Sequence, residues 1–207
     1  IVLGKSNTPE FGAGANTFNE VFGKTRNPWN TALTCGGSSG GSAVSLATGQ
    51  SWLATGSDLG GSLRIPASYC SVVGLRPSPG RVACGPAPLP FDFLSVEGPM
   101  GRNVDDVALM LDAMCGWHAA DPISLPAPDQ SFSVHLESPI APTRVAFSRN
   151  LGFLPVDGEV ADICAAACRQ FEIFGSDVDE APLDFSNAPE IFQILRAALF
   201  AARFAPL

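Results

Sequence analysis

Ser38 and Ser62 both stand in glycine-rich settings. Ser38 lies in Gly36-Gly37-Ser38-Ser39-Gly40-Gly41-Ser42, and Ser62 follows Asp58-Leu59-Gly60-Gly61. Glycines open backbone angles that other residues avoid. Two glycines before a serine make a sharp turn that exposes the Ser62 hydroxyl. They also let successive backbone N–H groups point into one space, as in an oxyanion hole built without side chains. Such an arrangement suits acyl transfer, and the serine then needs a base, because a free hydroxyl is a weak nucleophile. Arg64 and Pro66 fix the exit from this turn.

Other readings compete for the same stretch. The small residues after Gly41 suit a tightly packed helix whose first N–H groups aim at the loop. Such a helix start can cradle a phosphate, but the lysine and the following Ser or Thr of a P-loop are missing. A flexible linker would not be flanked by the apolar strand of residues 52–57 (WLATGS) and a small-residue helix. On composition alone, a structural turn without chemistry is the simplest reading. A Ser–His–Asp site would need His118 or His135 near Ser62. His118 follows a helix beside Asp121, and His135 lies in a proline-rich stretch.

The elements that must position these serines follow from periodicity. Residues 1–103 are rich in Gly, Ser and Pro between short apolar runs. Val104, Val107, Ala108, Leu111 and Met114 recur at helical spacing, with Asn103 as N-cap and Gly116 as the stop. Residues 119–142 carry prolines at 122, 126, 128, 139 and 142 and read as a surface excursion. Residues 143–148 read as a strand, 157–174 as a helix closed by Gly175, 176–181 as a second strand, and 188–203 as a helix. Strand, helix, strand is a crossover unit and points to an α/β sheet. There is no internal repeat and no convincing domain linker.

Composition narrows the class. The chain has 207 residues and a net charge of −8. That argues against a nucleic-acid backbone as direct partner, which needs clustered Lys and Arg. Charged residues are 15% of the chain, against roughly 25% in an average domain. The chain therefore buries much of itself or belongs inside something larger. No apolar run approaches the roughly 18 residues that span a membrane. The six cysteines match no zinc or disulfide pattern. Cys164 and Cys168 are expected as small buried thiols on one helix face, and reduced cysteines point to the cytoplasm.

The stretch from Gly36 to Ala67 resembles the signature of the amidase signature family of serine hydrolases. Residues 4–12 (GKSNTPEFG), 69–82 (YCSVVGLRPSPGRV), 98–114 (GPMGRNVDDVALMLDAM) and 144–160 (RVAFSRNLGFLPVDGEV) are family-like too. The resemblance implies an α/β fold with a mixed central sheet covered by helices. It implies one partial amidase domain over 1–207: a signature core at 1–116, the excursion at 117–142 and the crossover unit at 143–207. By motif position, Ser62 is the nucleophile and Ser38 the proton-relay bridge, joined to Gly37 by a cis peptide bond. The amides of Leu59, Gly60, Gly61 and Ser62 form the oxyanion hole, and Ser57, Asp58 and Arg64 brace the turn.

The resemblance implies a Ser–cis-Ser–Lys triad that cleaves a small-molecule carboxamide through an acyl-enzyme. It implies no metal or organic cofactor, and it allows a homodimer. The catalytic lysine of the family lies further ahead of the bridging serine than the 37 residues before Ser38 allow. Lys5 and Lys24 are both wrong by position, and Lys24 is expected as a solvated loop charge. The opening IVLGKSN reads as the end of a buried strand. A fragment is therefore expected, with the base outside this chain. The alternatives are an inactive truncation, or part of a protein resembling the amidase subunit of the tRNA-dependent amidotransferase, which releases ammonia from glutamine.

Overall fold

A computed structural model describes residues 1–204. The chain is mixed α/β and forms two compact units, Ile1–Glu137 and Ser138–Leu207. In the first unit, β1 (Phe18–Asn19) and β2 (Gly23–Lys24) make a short antiparallel hairpin. α1 (Gly40–Ala47) leads into β3 (Leu53–Asp58), and α2 (Arg64–Cys70) leads into β4 (Val73–Gly74). β5 (Val96–Gly101) lies between β3 and β4 and is antiparallel to both. The register sets Leu53 opposite Gly101 and Asp58 opposite Val96. The sequence reading missed β5, because Gly98, Pro99 and Gly101 disguise a strand. Gly98 is needed: a Cβ there would come within 2.7 Å of Leu63 Cδ1 and 2.9 Å of Pro77 Cδ.

The core of this unit joins α1, α2 and β5. Cys35, Ala43, Leu46, Leu63, Ala67, Cys70 and Met100 pack into one buried cluster. Glycines allow α1 to approach its neighbours closely. Gly41 N donates to Asn7 O at 3.2 Å, and a Cβ at Gly41 would overlap the Asn7 backbone. α3 (Val104–Met114) starts where the sequence predicts, with Asn103 accepting from Asp106 N at 2.7 Å. Val107, Ala108 and Leu111 face inward, whereas Val104 is exposed. The helix ends at Cys115, which bridges Val82, and Gly116 follows at φ 141°. The excursion is irregular apart from α4 (Phe132–His135), whose first N–H groups are capped by Asp112.

The second unit has the expected crossover. β6 (Arg144–Phe147) and β7 (Asp177–Glu180) run parallel, with α5 (Gly158–Arg169) between them in sequence. Asp157 caps α5 by accepting from Glu159 N at 2.9 Å. The predicted helix over 157–174 divides, because Gln170–Phe174 tightens into a 3-10 turn that Gly175 ends at φ 85°. α6 (Ala188–Phe204) completes the unit.

Three expectations are corrected. Ile1, Val2 and Leu3 are exposed and not in a strand, since no neighbouring strand offers them a ladder. Cys164 is exposed and Cys168 half-buried, because α5 buries Ala161 and Ala165 instead. Lys24 lies in β2 rather than in a loop, though it is exposed as expected. Among the described residues, β3, β5 and β4 form an antiparallel sheet, and β6 and β7 form a parallel pair. No helix among those residues is long and apolar enough to cross a membrane.

Leu63 is fully buried at the centre of the core cluster. Leu63→Ala is expected to destabilise the protein by about 2–5 kcal/mol. The reading is a lower urea midpoint at unchanged slope. A variant with the wild-type midpoint would contradict this packing.

Candidate active site

β3 ends at Asp58, and the chain then turns through Leu59, Gly60, Gly61, Ser62 and Leu63 before α2 begins at Arg64. The turn is wrapped around the Asp58 carboxylate, which is fully buried. Oδ1 accepts from Gly61 N at 2.8 Å, and Oδ2 from Leu63 N at 3.2 Å. Arg64 donates through Nε to Oδ2 at 3.0 Å and through Nη2 to Oδ1 at 3.1 Å. Arg76 Nη1 reaches Oδ1 at 3.3 Å, also donates to the Asp58 carbonyl, and Nη2 holds Leu94 O at 3.0 Å. Burial alone would push the Asp58 carboxyl upward. The Arg64 hydrogen bonds and the Gly61 and Leu63 amides outweigh it and hold the carboxyl below its ordinary range.

This wrapping sorts the amides of the turn. Gly61 N and Leu63 N are engaged by Asp58. The N–H groups of Leu59, Gly60 and Ser62 donate to no described residue. Gly61 has φ 112°, and a Cβ there would lie 2.7 Å from Ile65 Cδ1, so the turn requires glycine. Ser62 is half-buried.

The Ser38 loop packs against this turn. Gly36 has φ 75°, and the Gly37–Ser38 peptide is cis, as the resemblance implies. A Cβ at Gly37 would stand 2.9 Å from the Asn16 backbone. Ser38 is 3% exposed. Ser39 N donates to Ser62 O at 3.2 Å, which ties the two serine-bearing loops together. Ser39 Oγ also accepts from Ser57 N at 3.3 Å, so Ser57 joins through its backbone. The Ser38 and Ser62 hydroxyls hydrogen-bond no described side chain, and none links them to each other. They are brought into adjacent loops, with their hydroxyls free for other partners.

Other candidate nucleophiles and bases fall away on geometry. Burial pushes the Cys70 thiol up to about 11 and raises Cys35 as well, so both are neutral thiols at pH 7. His118 accepts from Ala120 N at 3.2 Å, and His135 ends α4. Neither histidine bonds Ser62 among the described residues. Lys5 and Lys24 are exposed and bond neither serine. No cluster of His, Cys, Asp or Glu among the described residues is gathered as metal ligands would be. The sequence reading missed Arg76 and Thr17. Arg76 could have been suspected only from the general need of a buried acid at Asp58 for pairing and hydrogen bonds. Thr17 carried no signal.

The family described as Amidase matches residues 1–206. Over 190 residues the chain is 41% identical to an acylamidase of Rhodococcus erythropolis, covering 92% of this chain and 40% of that protein. Over 183 residues it is 37% identical to a glutamyl-tRNA(Gln) amidotransferase subunit of Marinomonas sp. (strain MWYL1), covering 88% of this chain and 38% of that protein. A solved bacterial aryl acylamidase of the amidase signature enzymes superposes with TM-score 0.81 at 33% identity, covering 95% of this chain and 42% of that one. The chain thus spans about two-fifths of the length of the curated relatives it matches.

Hydrogen bonds to a charged group contribute about 1.5–3 kcal/mol, and Asp58 accepts from two turn amides and two arginines, so Asp58→Asn should lower stability by at least that order at pH 7. The folded pKa of Asp58 is depressed, so its contribution is present above the ordinary carboxylate pKa, about 3.9. It is lost as pH falls through the lower folded value. Urea melts from pH 7 downward should show a constant gap between wild type and variant, closing only below about pH 4. A gap that closes above pH 5 would contradict the depressed carboxyl.

Proposed function

The chain belongs to the amidase family, and we propose that it carries the nucleophile of an enzyme that hydrolyses a carboxamide C–N bond. Ser62 Oγ attacks the amide carbonyl while Ser38 takes the Ser62 proton and passes it to a lysine base outside this chain. The developing oxyanion is held by the amides of Leu59, Gly60 and Ser62. The Gly61 amide, which the resemblance assigns to the same role, instead fixes the turn through Asp58. The relay returns a proton to the leaving amine or ammonia, and water then hydrolyses the Ser62 ester. The observation that carries this reading is the sorting of amides around Asp58, which leaves three donors unengaged beside one serine. An oxyanion hole needs such preorganised donors, and removing one costs about 2.7–4 kcal/mol of barrier.

A second reading keeps the same chemistry and changes the substrate. The likeness to the glutamyl-tRNA(Gln) amidotransferase protein nearly equals the likeness to the acylamidase. On that reading the amide is that of glutamine, and the chain is part of one component of a multisubunit complex. Assays of the complete protein with an aryl amide, and with glutamine in the presence of its co-purified partners, separate the two.

In the complete protein, Ser62→Ala should abolish turnover and covalent labelling by a serine-directed phosphonate. Ser38→Ala should lower kcat by about 10²–10⁴-fold, the range for a lost proton-transfer group. Turnover that survives Ser62→Ala would overturn the reading, and so would a folded wild type that the phosphonate leaves unlabelled.

A further inference from the structure

Thr17 is 2% exposed, and its hydroxyl gathers three backbone groups of the Ser38 loop. Oγ1 lies 2.9 Å from Gly36 O and 3.3 Å from Ser38 O, and accepts from Gly40 N at 3.1 Å. A hydroxyl has one proton and two acceptor lone pairs. The proton goes to the nearer Gly36 carbonyl and is shared with Ser38 O, while a lone pair takes the Gly40 amide. One buried atom therefore grips the loop on both sides of Ser38. The fit is close, because a Cβ at Gly40 would fall on Thr17 Oγ1.

We propose that Thr17 is a positioning residue that aims the Ser38 hydroxyl at its relay partners. This inference rests on Ser38 acting as the proton bridge. The Ser38 side chain takes its direction from the backbone, since no described side chain hydrogen-bonds it. Ser39 N on Ser62 O and Ser57 N on Ser39 Oγ hold the loop after Ser38, and Gly36 N on Thr34 Oγ1 holds it before, but neither set spans Ser38 as Thr17 does. Among the described residues, the one other donor to the Gly36 carbonyl is Cys35 Sγ at 3.3 Å, and a thiol is a weak donor. Without the Thr17 hydroxyl, the buried Ser38 carbonyl and Gly40 amide lose a partner and the loop re-aims. A displacement of 1 Å in a catalytic group costs about 10²-fold in rate.

The test compares Thr17→Val, Thr17→Ala and Thr17→Ser in the complete protein, with active enzyme counted by phosphonate titration. Thr17→Val is expected to lower kcat about 10–100-fold while KM stays within about threefold, the pattern of a group that acts on the chemical step. Thr17→Ser, which keeps the hydroxyl, should restore kcat to within about threefold. Thr17→Ala removes the hydroxyl without adding bulk and gives the same reading if the valine variant does not fold. If the titrated Val or Ala variant turns over at the wild-type rate, Thr17 has no positioning role. Equal loss in the serine variant would also overturn it. If Ser62→Ala retains turnover, the reading of the site falls, and this inference with it.

Discussion

The Asp58 carboxylate is the constraint from which the site follows. It is a charge with no solvent exposure. Such a charge is tolerated only when it is paired and fully hydrogen-bonded. Two arginines and two amides of the following turn meet that demand. Satisfying the charge therefore bends the chain through Gly60 and Gly61 and sets the start of α2. The same bonds decide which amides face the acid and which stay open beside Ser62. Electrostatics, local conformation and the proposed chemistry thus meet in one side chain.

Close backbone approach is the second constraint. Gly37 lies against Asn16, Gly41 against Asn7, and Gly40 against Thr17. Each contact is closed to a residue with a Cβ. The small residues of α1 bring its N-terminus to the Ser38 loop and seat Ala43 and Leu46 in the core. The glycine-rich loop is therefore held on several sides, and a catalytic constellation needs such support. β3 carries Asp58 and β5 clamps it by six register pairs, so the turn projects from a paired strand.

Much of this was legible in the residues. The Gly/Ser stretch from Gly36 to Ala67 pointed to the two serines, and the apolar spacing after Asn103 located α3 to its cap. The parallel pairing of β6 and β7 followed from a strand, helix, strand alternation. What was not legible has physical causes. β5 was hidden because Gly98, Pro99 and Gly101 lower strand propensity while serving close packing. The roles of Thr17 and Arg76 depend on contacts across 23 and 18 positions of sequence, which no local pattern encodes. Val160 and Ile163 recur at helical spacing in α5, yet both are exposed, because periodicity marks a face without telling what covers it. The engagement of Gly61 by Asp58 also lay beyond motif position, since a motif names the donors of a turn and not their partners.

The central claim is that Asp58 holds the turn so that the amides of Leu59, Gly60 and Ser62 face an acyl group on Ser62. The most direct measurement is a crystal structure of the complete protein carrying a phosphonate adduct. The account predicts a bond to Ser62 Oγ, and a phosphoryl oxygen within about 3.1 Å of at least two of those three amides. Gly61 N should still donate to Asp58. An adduct on another residue would contradict the account. So would a phosphoryl oxygen held by the Gly61 amide after that amide had left Asp58.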